Sequence, residues 1–370
     1  MIGALEDRRL VVCAGAGGVG KTTVSAAVAL RLAQEGHRTA VVTIDPARRL
    51  ATALGLVGLG DAPHRVDLGS LGGAAAGELW AVQLDAKATF DRLVAREAPD
   101  DEARERILQN RIYRHLSGAV AGAQEYMAVE RLHELVEEGS FDRIVLDTPP
   151  ARNALDFLDA PQRITRFIEG RALRLLLRPA LLRGGFGRRV LHAGSSTVIS
   201  VLERLTGAQL LRDVADFLAA FDGMYQGFAD RARVVHEMLL SPASGFVVVA
   251  APETEPVHQA IALARRLNED GFPLVAMVLN RVHPLPRGGL ARPAALSAAL
   301  ARAGAADPAG LARRAALTQE EDQLLGIRDL DAREALLHVM RGSPMATVPA
   351  FAHEPVDLDG LAQVASELGT

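Results

Sequence analysis

A single cysteine, Cys13, stands among 370 residues. That excludes an internal disulfide framework and any zinc or iron–sulfur site built from two or more cysteines of one chain. Lysine is nearly as scarce: Lys21 and Lys87 are the only two, and the other 39 of the 41 basic residues are arginine. In a chain so biased toward arginine, a retained lysine is informative. Neither sign of charge dominates. The net charge of −4 gives no global field that would favour nucleic acid. No uncharged apolar run reaches the roughly 18 residues of a membrane-spanning helix, and the charged N-terminus has no apolar core of a secretory leader. The expected compartment is the cytoplasm, with transient contact at the membrane periphery left open. The ten histidines are scattered and none forms a His-x₃-His pair with a glutamate, so no zinc site is expected. What remains is an ordinary globular balance, 49% hydrophobic and 23% charged, which excludes disorder as the main state.

Residues 9–13 read as a short buried strand, followed by a glycine-dense stretch from Gly15 to Gly20. Apolar residues at helical spacing (Val24, Ala27, Val28, Leu32) then predict a helix from Lys21 to Gln34, stopped by Gly36. A second strand at 39–44 completes a βαβ unit and implies a parallel sheet. Further strands are predicted at 79–84, 142–146, 245–250, 273–279 and 346–349, with a helix at about 256–269. The fold class is therefore α/β, a doubly wound and mostly parallel sheet. Helical blocks interrupt the strands at 87–138 and 154–240. The second is too long for a simple crossover and reads as an inserted helical subdomain. A third helical segment, 286–344, has breaks expected near Gly288, Pro308 and Gly326.

Gly15-Ala16-Gly17-Gly18-Val19-Gly20-Lys21-Thr22 fits G-x-x-x-x-G-K-[ST] between a strand and a helix. Glycines let backbone N–H groups turn toward phosphate oxygens, and the helix N-terminus adds partial positive charge. Lys21 would neutralise phosphate, and the Thr22 hydroxyl would ligate Mg²⁺. Asp45 and Asp147 end predicted strands, on the side where open parallel sheets bind ligands. Each would hold the Mg²⁺ shell or orient an attacking water, or else cap a strand end. The rest of the loop, Gly17, Gly18, Val19, Gly20 and Thr23, joins Lys21 and Thr22 as the expected binding site for ATP or ADP.

The order of motifs resembles the arsenite-pump and tail-anchored-protein-targeting ATPases of the deviant-Walker class: Gly-Gly-Val-Gly-Lys-Thr-Thr (17–23), Asp-Pro-Ala (45–47), Asp-Thr-Pro-Pro (147–150) and Val-Leu-Asn-Arg (278–281). The run Gly122 to Ala128 points to the bacterial ArsA-related branch. The resemblance spans about residues 9–355, the helical blocks matching only in position. It implies that Lys21 and Thr22 bind phosphate and Mg²⁺. It implies that Asp45 polarises the attacking water within the metal shell, and that Asp147 holds that shell. Asn280, following the strand 274–279, would recognise adenine, with Arg281 beside it and Pro349 to Phe351 flanking the base. Members act as nucleotide-gated dimers that handle a client protein. Three departures stand out. Ala16 replaces the family's extra lysine, which leaves a homodimer or a heterodimer with a paralogous ATPase as alternatives. The zinc-bridging Cys-x-x-Cys is absent, and so are the metalloid cysteines. Arsenite pumping is therefore not expected as the direct activity, and Cys13 is expected to be a buried, inert thiol.

Two other features stay open at this level. Residues 162–190 carry eight arginines against one acid, Glu169, which suits either a client or membrane surface or a solvated helix face. Met127, Phe217, Phe221, Met224, Tyr225 and Phe228 suit a client groove or a core. Glu253 and Glu255 follow a strand, and either approach the nucleotide or serve as acids at a helix N-terminus.

Overall fold

The computed structural model describes all residues except 46–48, 72–75, 99, 111–122, 150–224, 286–291, 341 and 370. Eight strands form one sheet: β1 (Leu10–Gly15), β2 (Arg38–Thr43), β3 (His64–Arg65), β4 (Glu78–Gln83), β5 (Arg143–Asp147), β6 (Ser244–Ala250), β7 (Leu274–Val282) and β8 (Met345–Pro349). Their order is β3-β4-β2-β5-β1-β6-β7-β8. Every pairing is parallel except that of β3 with β4.

The strands are apolar on both faces because helices cover both. Leu10, Val12 and Ala14 of β1 face one core with helices α5 (Ala123–Glu138), α6 (Tyr225–Leu240) and α7 (Thr254–Glu269). Val11 and Cys13 face the other core with α1 (Lys21–Gln34) and α10 (Leu358–Leu368). α1 is buried nearly all round, including the four residues whose spacing predicted it. Short α2 (Arg49–Ala53) follows the second strand. α3 (Ala86–Glu97) and α4 (Asp101–Gln109) fall with α5 within the first expected helical block, and Asp85 caps α3 by accepting from the Ala88 N–H at 3.0 Å.

α8 (Pro293–Arg302) and α9 (Pro308–Leu337) form a hairpin beside α7 and β7. The break expected at Pro308 is there, since Pro308 opens α9 behind its N-cap Asp307. The break expected at Gly326 is not: α9 runs through it. Gly326 is buried against Leu285 and the carbonyl of His283. Tertiary contact at that point outweighs the roughly 1 kcal/mol that a mid-helix glycine costs. Gly288 and most of the 154–240 block lie outside the described residues, as do Phe217, Phe221 and Met224. Met127 is buried, which favours core for that position.

β7 also runs further than expected, so Asn280 lies inside the strand rather than after it. Its end is irregular. Arg281 adopts φ +61°, a left-handed conformation uncommon outside glycine, and the register with β8 shifts between Leu279 and Val282.

Candidate nucleotide site

The phosphate loop leaves β1 at the centre of the sheet and enters α1 at Lys21. Gly20 is the N-cap, with φ +86°. A Cβ on it would lie 2.3 Å from Nδ2 of Asn280, so only glycine fits. Asn280 holds the loop from outside, donating from Nδ2 to the Val19 carbonyl at 2.8 Å. Arg281 adds a second strap, from Nη1 to the Gly18 carbonyl at 3.0 Å, and its Nη2 meets Glu354 at 3.1 Å. Its left-handed backbone is what turns the side chain toward the loop.

Lys21 is buried and donates from Nζ to the Ala16 carbonyl at 2.7 Å. Burial lowers its pKa, while Asp147 and Asp45 oppose that change and Arg49 adds to it. Asp147, at the end of β5, is fully buried and forms the hub of a hydroxyl cluster. Its Oδ2 accepts from Thr22 at 2.8 Å and from Thr43 at 3.0 Å, and its Oδ1 accepts from Ser25 at 3.4 Å. Burial pushes its pKa up to about 6, against the lowering effects of Thr22, Thr43 and Lys21. This carboxylate is short of positive charge, and its surroundings are hard oxygen donors. A divalent cation such as Mg²⁺ fits that donor set. The Thr43 hydroxyl also accepts the backbone N–H of Asp45 at 3.2 Å, which ties the positions of the two aspartates together.

A cleft of about 940 Å³ opens over the loop. Its phosphate side holds Gly17, Gly18, Gly20, Lys21, Thr22, Thr23 and Asp45. Its far wall holds Asn280, Arg281, Pro349 and Phe351. Every expected site residue except Val19 and Asp147 lines it, and those two sit directly behind the wall. Glu253 lines the cleft too, whereas Glu255 belongs to the first turn of α7. Glu253 is also the N-cap of α7, so both acids stand at that helix N-terminus.

Some contributors were not visible in the sequence. Thr43 and Ser25 belong to no motif, and only the fold brings them to Asp147. Arg49 and His283 also line the cleft. Cys13 is buried, and its pKa is raised to about 12 chiefly by burial, which suits an inert thiol.

Residues 8–288 match the sequence profile of the anion-transporting ATPases. The chain belongs to the anion-transporting ATPase (ArsA) family. Its relatives include the ATPase ASNA1 homolog of Cryptosporidium parvum, 26% identical over 75% of this chain and 66% of that protein. ATPase ARSA1 of Chlamydomonas reinhardtii is 25% identical over 75% of this chain and 35% of its own length. An uncharacterized protein of Streptomyces coelicolor is 35% identical over 46% of this chain and 40% of its own. The chain thus spans two thirds or less of the length of these relatives. Membership in this ATPase family accords with the phosphate loop and the α/β sheet. Among the described residues no helix is long and apolar enough to cross a membrane.

Proposed function

We propose that this chain is an Mg²⁺-dependent ATP hydrolase that works as a dimeric, nucleotide-gated switch on a client protein. On this reading the whole chain is one phosphate-loop domain, and the 154–240 stretch is its client-handling insertion. The observation that carries the proposal is the contact of Thr22 with buried Asp147, beneath a cleft that also gathers Lys21, Asp45 and Asn280. Lys21 and the N-terminus of α1 bind the phosphates. Thr22 and Asp147 would hold Mg²⁺, with Asp45 completing the shell, and the bound cation would supply Lewis-acid charge neutralisation. Asp45 orients water for in-line attack, its backbone fixed by Thr43. The Asn280 Nδ2 is committed to Val19, so its Oδ1 is the atom left to accept from the adenine amino group. Pro349 and Phe351 face the base.

A second reading has its own observation. Ala16, where the resembling ATPases carry a lysine, has its side chain buried within this chain at 3% exposure. No charge projects from that position toward a partner copy. This favours a weakly hydrolysing subunit whose activating charge comes from a paralogue. Losing such a cation costs on the order of 10³-fold in turnover, by analogy with arginine fingers.

Steady-state ATP hydrolysis with Mg²⁺, run beside light scattering and with Lys21→Ala as control, separates the readings. Turnover that vanishes in the control, with ATP-dependent dimerisation, supports the self-sufficient switch. Binding without turnover supports the paired subunit, and absence of binding refutes both. Asp45→Asn is expected to keep ATP affinity while turnover falls at least 10²-fold, a typical general-base contribution. Unchanged turnover would remove Asp45 from that role.

A further inference from the structure

His283 lies on the cleft wall three residues beyond Asn280. Its backbone N–H donates to Oδ2 of Asp329 at 2.7 Å, and its ring Nδ1 meets the same oxygen at 2.9 Å. Asp329 projects from α9 and is buried. Its other oxygen, Oδ1, accepts from Nε and Nη2 of Arg328 at 2.9 and 2.7 Å.

With a guanidinium on one oxygen and a backbone amide on the other, this carboxylate is an acceptor throughout. The hydrogen of the His283–Asp329 bond therefore sits on Nδ1. In the neutral imidazole the opposite ring nitrogen, Nε2, is then a lone-pair acceptor. The imidazole is fixed in tautomer and orientation by a buried carboxylate, the arrangement that makes a histidine a defined hydrogen-bond acceptor rather than a variable one. A histidine serving only to pack would not need both its backbone and its ring anchored by one buried aspartate while a face stays open to the cleft. Gly326, one turn before Asp329, permits this approach: a Cβ there would lie 2.8 Å from Leu285 and 3.3 Å from the His283 carbonyl.

We propose that His283 is a nucleoside-recognition residue, its Nε2 accepting a hydrogen bond from a donor on the nucleoside half of the bound nucleotide, with Asp329 of α9 as its positioning residue. The inference rests on reading the cleft as a nucleotide site. Adenosine offers two kinds of donor, the N6 amino group of the base and the hydroxyls of the ribose. Through Asp329 the contact would also join nucleotide occupancy directly to α9.

Calorimetric titration of the full chain with ADP, IDP and 2′-deoxy-ADP, in the presence of Mg²⁺, tests it. IDP lacks the amino donor and 2′-deoxy-ADP lacks one hydroxyl. The unaltered chain is expected to prefer ADP over one of the two analogues by about 2- to 10-fold, the range for one hydrogen bond. His283→Ala should lower one of the two ratios by about 2- to 10-fold, and which ratio falls identifies the donor; any ADP-over-IDP preference that stays belongs to Asn280. Asp329→Ala removes the acceptor that holds both the His283 backbone N–H and Nδ1, so the ring loses its fixed tautomer and orientation and the preference should shrink toward 1. A purely structural role would weaken all three ligands alike and leave the ratios standing. Ratios in His283→Ala equal to those of the unaltered chain overturn the inference, as does an unaltered chain that distinguishes neither analogue. Failure of the unaltered chain to bind ADP at all would instead overturn the nucleotide-site reading beneath it.

Discussion

At Asp147 the cost of a buried charge and its use coincide. The folded chain holds the Asp147 proton at about pH 6, against an ordinary 3.8. Folded protein therefore binds this proton more tightly than unfolded protein. Without Mg²⁺, this group makes stability fall as pH rises from about 4 to about 6, and above that the full penalty persists. The gap corresponds to about 3 kcal/mol. Urea unfolding of the metal-free chain at pH 5 and pH 7.5 should show about half of this loss, and Asp147→Asn should flatten it. A pH difference that is the same in both proteins would show that Asp147 is not the group responsible. Lys21 gives a complementary prediction. Lys21→Ala removes a buried cation beside two carboxylates and is expected to lower ATP affinity at least tenfold, since hydrogen bonds to charged groups contribute about 1.5–3 kcal/mol. Equilibrium binding of ATP checks this, and unchanged affinity would dissolve the phosphate-loop assignment. Residues with motif chemistry, Lys21, Thr22 and Asp147, were legible in the sequence. Thr43, Ser25, His283 and Asp329 were not, because a hydroxyl or imidazole acquires a role only when distant strands converge.

At the scale of elements, the end of β7 departs from regular strand geometry. Arg281 and the register shift turn the chain so that Asn280 and Arg281 meet the phosphate loop while His283 meets α9. Gly326→Ala sets two effects against each other. Helix propensity gains about 1 kcal/mol, and the new methyl group crowds Leu285 and the His283 carbonyl. Leu285 is exposed enough to yield, so the melting temperature should move by no more than a few degrees, while ADP affinity falls as His283 is displaced. Parallel melting and titration would check this, and full affinity would show that the segment tolerates the methyl. The seven longer strands were legible to within a residue or two at most ends, because continuous apolar runs bounded by turn residues mark strands buried on both faces. β3 was missed. It is two exposed residues long and carries no periodicity. The end of β7 was missed because a left-handed arginine has no sequence signature.

Across the whole molecule the cleft draws its walls from both ends of the chain: the phosphate loop near the N-terminus, and the segment after β8 near the C-terminus. A ligand that bridges them should stabilise the sheet as a unit. ADP at 100 times its dissociation constant is expected to add about 2.7 kcal/mol, seen as a rise of several degrees in melting temperature, and Lys21→Ala should abolish the rise. A melting point indifferent to ADP would mean that the two walls do not share a ligand. The α/β class and the family were open to reading from the order of motifs, which is fixed along the chain. The pairing of the two walls was not, since it depends on β6, β7 and β8 lying on one side of β1. The missing Cβ of Gly20 and the amide of Asn280 occupy the same small volume, although 260 positions separate them in sequence. Neither position can change alone: a side chain at 20 evicts the amide, and a bulkier residue at 280 dislodges the loop. Exchange of the C-terminal third with that of a distant relative would therefore succeed only when both positions travel together. Any retuning of base preference by redesign has to leave this pair intact and act through other residues of the far wall.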